Sequence, residues 1–121
     1  MSSVSYDISL REPVSNETIQ FDSPHTIRGG TYALGGTSEA WLNVTYNYSK
    51  HFYGAMGEKG IRTIYGMTGA ESIPALSDAI SKLGDDVDAD YWNPTEGNAK
   101  RALCGLLAFA QLRPDGIWEG D

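Results

Sequence analysis

Four uncharged side chains occupy every second position of one short stretch: Asn43, Thr45, Asn47 and Ser49. Leu42, Val44, Tyr46 and Tyr48 alternate with them, which is the pattern of a strand with one apolar and one polar face. Exposed sheet faces ordinarily carry charge, which keeps them soluble and discourages edge pairing, yet this file has no charge before Lys50. Arg62, Tyr65 and Thr68 in GIRTIYGMTGAE and Asn98 at the start of the last helix add a guanidinium, a phenol, a hydroxyl and an amide. Groups that both donate and accept hydrogen bonds suit the holding of a polar, nucleotide-like small molecule better than bond breaking. The candidate ligand-binding residues are therefore Asn43, Thr45, Asn47, Arg62, Tyr65, Thr68 and Asn98, with Arg62 facing negative charge and Tyr65 stacking. A structural reading stands beside this one. In it Asn47 and Thr68 cap helices, Thr45 pairs across strands and Tyr65 packs.

Other constellations offer less. His51, just after the polar file, is the one imidazole near it and could act as a general base in a small enzyme, but no nucleophile elbow accompanies it. Cys104 sits among the leucines of the last helix, where a thiol is expected to be inert packing. One Cys and two distant His give no zinc spacing. RGGTYALGGT, residues 28–37, lacks the Lys-Ser or Lys-Thr of a phosphate loop and reads as glycines turning a short strand at both ends. DDVDAD alternates carboxylates as calcium loops do. A calcium loop begun at Asp86 would put Tyr91 at the turn glycine and Gly97 at the bidentate glutamate, so a solvated linker is expected. No catalytic residue, metal or cofactor is assigned.

The formal charge of −7, from 9 Lys plus Arg against 16 Asp plus Glu, disfavours direct nucleic-acid binding. It leaves open an acidic surface that docks on a basic protein, with Asp85, Asp86, Asp88 and Asp90 as its centre. A single cysteine forbids an intramolecular disulfide. MSSVSYDISL has neither a basic nor a long apolar segment, and nowhere do about 18 apolar residues run together, so a soluble cytoplasmic protein without membrane contact is expected. The three N-glycosylation sequons, beginning at Asn16, Asn43 and Asn47, then stay unmodified.

A chain of 121 residues is expected to form one domain, spanning 1–121. Tyr6, Ile8 and Leu10 alternate with polar neighbours, Thr18 to Phe21 gives a second run, and the two read as a hairpin. Thr31 to Leu34 is a third short strand, and Ala40 to Tyr48 the fourth and longest. A short helix around Phe52, Tyr53 and Met56 follows, with Ser49 as its cap. Ile73, Leu76, Ile80 and Leu83 share a helical face whose start lies either at the Thr68/Glu71 capping box or at Ser72 with Pro74. The last helix carries Ala99, Ala102, Leu103, Leu106, Leu107 and Ala110, with Asn93 as cap and Pro94 in the first turn. A tail from Pro114 returns Trp118 to the body as an aromatic anchor. Strands first and helices afterwards predict an α+β fold. In it a small antiparallel sheet of about four strands from the N-terminal half is covered by two main helices and one short helix.

LNVTYNYSKHFYGAMGEKGIRTIYGMTGAESIPAL and DYWNPTEGNAKRALCGLLAFAQLRPDGIWEGD resemble a widespread group of small phage and prophage proteins of Gram-positive bacteria. The likeness runs from Arg28 onward. A more distant group of short actinobacterial and phage proteins is similar at Asn43, Thr45, Tyr46 and Asn47, at Gly66, Thr68, Gly69, Ala70 and Glu71, and at Asn93 and Pro94. The resemblance implies a phage accessory protein acting in the cytoplasm of an infected or lysogenic host. Counter-defence is the implied role, by sequestering a nucleotide messenger or by inhibiting a host defence protein such as a CRISPR effector. A homo-oligomer would help a ligand site form between copies.

Overall fold

The computed structural model describes residues 5–25, 37–90 and 92–121. The fold is α+β, with three helices and small antiparallel sheets. Its centre is β1 (Ser5–Arg11), whose alternation sends Tyr6, Ile8 and Leu10 into the core and Asp7, Ser9 and Arg11 to the opposite face. One flank of β1 pairs with β4 (Trp41–Thr45), from Ser5 opposite Thr45 to Ser9 opposite Trp41. The other pairs with β5 (Ile117–Gly120), from Ile8 opposite Gly120 to Arg11 opposite Ile117. The strand order is thus β4-β1-β5, and one of the three strands comes from the far end of the chain rather than from the N-terminal half.

β2 (Gln20–His25) and β3 (Thr37–Glu39) form a separate two-stranded ribbon. The expected β1–β2 hairpin is limited to a bridge between Arg11 and Thr18, made by Ile19 N–H to the Leu10 carbonyl and Glu12 N–H to the Glu17 carbonyl. Ala40 explains the divergence. Its carbonyl accepts from Leu10 N–H at 2.9 Å while its own N–H donates to Ile19 at 2.8 Å, so it occupies the edge a hairpin would have used. The strand expected at Thr31 to Leu34 lies outside the described residues.

The fourth strand stops at Thr45 because the Thr45 hydroxyl accepts from Asn47 N–H at 3.2 Å and starts a 3-10 turn over Tyr46–Tyr48. Ser49 is then the first residue of α1 (Ser49–Met56), not its cap. α2 (Gly69–Lys82) starts at the earlier of the two expected positions: Thr68 and Glu71 exchange both bonds of a capping box. α3 (Glu96–Leu112) is capped by Thr95, two residues after the expected Asn93.

The helices cover the inner face of the sheet with Phe52, Leu76, Leu103, Leu106 and Phe109, all almost wholly buried against Ile8, Leu10, Leu42 and Val44. Each such side chain contributes roughly 1.5–3 kcal/mol on leaving water. Trp118 arrives as anticipated, but as part of a strand. It is fully buried, and its indole N–H donates to Ser72 Oγ at 2.7 Å inside the core. Cys104, expected among the packed leucines, is exposed, because the buried side of α3 runs through Ala102, Leu103, Leu106, Phe109 and Ala110.

Candidate functional site

The seven residues singled out for ligand binding separate into two neighbourhoods and two isolated positions. Asn43, Arg62 and Tyr65 gather at one end of the sheet. Asn43 faces out from β4 and donates its amide to Ser5 Oγ at 2.8 Å and to Asp7 Oδ1 at 3.0 Å. Asp7 Oδ1 also accepts from the Trp41 indole at 3.1 Å. Arg62 lies over the rings of Tyr6 and Tyr46, 4.9 and 5.9 Å from their centroids, and its Nε donates to the Asp121 carbonyl at 2.8 Å. Asp121 Oδ1 accepts in turn from Asp7 N–H at 2.8 Å.

The Tyr65 ring rests on Gly120, where a Cβ would come within 2.6 Å of its hydroxyl. That hydroxyl is shut away from solvent with no hydrogen-bond partner among the described residues. Burial, reinforced by the Asp121 carboxylate, holds the phenol well above its ordinary pKa.

A hollow of about 780 Å³ opens on this face of the sheet. Asp7, Ser9 and Arg11 of β1 line it together with Trp41, Tyr65, Glu119 and Asp121. Arg11 is tied down by Ser9 Oγ at 3.0 Å and Glu119 at 3.4 Å, so the lining is richer in acceptors than in donors. Of the expected residues, only Tyr65 touches the hollow, and Asn43 and Arg62 support it through Asp7 and Asp121. The outward file Asp7, Ser9, Arg11 was readable as the complement of Tyr6, Ile8 and Leu10. Glu119 and Asp121 carried no such signal.

Asn47 and Asn98 belong to the second neighbourhood, the acidic segment 84–95 between α2 and α3. Asn98 is 5% exposed. Its carbonyl oxygen accepts from Asp88 N–H, and its amide donates to the carbonyls of Asp90 and Asn93, each at 3.0 Å. Asn47 donates to the Trp92 carbonyl at 2.9 Å. His51 Nε2 donates to the Pro94 carbonyl at 2.7 Å, so this imidazole holds main chain in place. Asp88 accepts from Asp90 N–H at 2.8 Å and from the Asn93 amide, bonds that keep its carboxyl below the ordinary aspartate value. Asp86 caps Gly97 N–H, and Asp85 pairs with Lys100 at 2.7 Å.

Thr45 and Thr68 are apart from both groups, the first buried under the 3-10 turn and the second capping α2 beside β5. Among the described residues no three His, Cys, Asp or Glu side chains meet as a group able to hold a metal, and no helix is long and apolar enough to cross a membrane. Comparison with protein-family models, with curated proteins and with solved structures returns no match.

Proposed function

We propose that this chain is a binding protein that sequesters a polar, nucleotide-like small molecule on the outer face of its sheet, in the setting of phage counter-defence. The observation that carries this reading is the hollow lined by Trp41 and Tyr65, placed on the polar face of β4 and β1. Its chemistry narrows the ligand. Asp7, Glu119 and Asp121 repel phosphate, and Arg11 is already engaged, so the base and ribose enter and any phosphate projects outward. Ribose hydroxyls and base amines supply the donors that the carboxylates accept.

Calorimetry against adenosine, ADP-ribose and cyclic nucleotides tests the reading. At least one should release heat, and Trp41→Ala should weaken it at least tenfold, or about 1.4 kcal/mol. No heat from any of them while the protein stays folded sinks the proposal. A second reading, an inhibitor docking on a host protein through its acidic segment, is favoured by one specific observation: Trp92 is 49% exposed on that segment.

A further inference from the structure

We infer that residues 84–90 and 92–95 form a preformed docking surface for a Lys- and Arg-rich stretch of a partner protein, with Trp92 as its anchor. The inference rests on the second reading above and is independent of the sheet-face hollow.

Three observations converge on this segment. The first is order. Asp88, Asp90, Trp92, Asn93 and Pro94 each have a main-chain group fixed by a side chain, several of them from the buried Asn98. A surface already ordered loses little conformational freedom when a partner arrives. Helix-to-helix connections are usually shorter than this one, and long ones without secondary structure are mostly functional or disordered.

The second is what the scaffold displays. Trp92 at 49% and Val87 at 51% are among the most exposed large apolar side chains of the described residues, although their own main-chain N–H groups are tied down. Tryptophan is the residue type most often found to dominate binding at interfaces. The third is charge. Residues 84–96 contain Asp85, Asp86, Asp88, Asp90 and Glu96 and no Lys or Arg.

Together these select the occupant. A half-exposed indole on a segment rich in carboxylates accepts a guanidinium or ammonium over its ring, and the aliphatic stem of Arg or Lys covers its apolar edge. A second copy of the chain is disfavoured, since a twofold contact would bring the same carboxylates face to face in a protein of charge −7. Nucleic acid is disfavoured on the same ground.

The full chain, ¹⁵N-labelled, provides the test, because its three tryptophans give three indole N–H resonances. The probes are a 12-residue peptide of alternating Arg, Lys and Leu and an acidic peptide of equal length. The basic peptide should shift the Trp92 indole and leave those of Trp41 and Trp118 in place, and the acidic peptide should shift none. Trp92→Ala should weaken the basic peptide at least tenfold, and the pair Asp85→Asn and Asp86→Asn should weaken it several-fold, with amide shifts confined to the neighbourhood of Gly97 and Lys100 and the native fold retained. Binding that survives Trp92→Ala but is lost in the Asp pair overturns the anchor and leaves acidic docking standing. No shift at all, a shift at Trp41 instead, or a Trp92 shift produced by protein concentration alone overturns the inference.

Discussion

Glycine is used under both polar surfaces, and the contrast between the two uses shows how each surface is built. Beneath the acidic segment, a Cβ at Gly97 would come within 2.7 Å of main-chain atoms of Asp86 and Val87. In the lining of the hollow, the three atoms nearest a Cβ at Gly120 all belong to the Tyr65 side chain. The same division runs through the hydrogen bonds. Around the acidic segment, Asn47, His51, Asp88 and Asn98 bond to main chain, which fixes where the segment lies. On the sheet face Asn43, Asp7, Trp41 and Arg11 bond largely to other side chains, over main chain already set by the strand ladder. A face held mainly by side chains on one another, with main-chain bonds at Asp7, Asn16 and Asp121, can rearrange around a guest, whereas side chains that hold main chain cannot move without moving the segment. Adaptability therefore belongs to the sheet face and rigidity to the segment.

Three substitutions sharpen or break that comparison. Asn98→Ala should have the largest effect, since it deletes three part-buried hydrogen bonds and leaves the Asp88 N–H without its acceptor, although the Asp90 and Asn93 carbonyls keep their bonds from Asn93 N–H and Thr95 N–H. A loss of about 3 kcal/mol in urea unfolding is expected, with the Trp92 indole resonance moving toward its random-coil position. Gly97→Ala comes next. Because its new methyl meets main chain, about 1–3 kcal/mol should be lost and basic-peptide binding should fall with it. Gly120→Ala should cost the least, under about 1 kcal/mol, because the Tyr65 ring can swing away. That swing fills the hollow, so ligand heat in calorimetry should drop while the response of Trp92 to the basic peptide stays intact. Equal stability losses for the two glycines would break the distinction.

The parts of the fold readable in the sequence are those where one side chain's role follows from its near neighbours. Thr68 and Glu71 are three residues apart, and the capping box they form was legible as such. Ala99, Ala102, Leu103, Leu106 and Ala110 repeat with the helical period and are all buried. Failures come where tertiary partners decide. Thr45 reads as one more strand residue until its hydroxyl turns the chain, and Asn47 then reaches the Trp92 carbonyl 45 residues away. Asn93 looked like the helix cap, but its carbonyl is taken by Asn98, and Thr95 caps instead. Ile117–Gly120 is too short to show alternation, and only its partner β1 makes it a strand. The candidate sites follow the same rule. The polar file picks out the strand on which Asn43 meets Asp7, whereas Trp41, Glu119 and Asp121 join that neighbourhood only through pairings that span the chain.

The position of β1 in the middle of the sheet has a consequence for biosynthesis. Residues 8–11 find one of their two partners only in residues 117–120, and Arg113 reaches back to Glu12 across 101 positions. Closing so large a loop is entropically costly and is offset only once Trp118 docks. On the ribosome the first strand therefore waits, with one flank unsatisfied, until residues 117–120 have emerged.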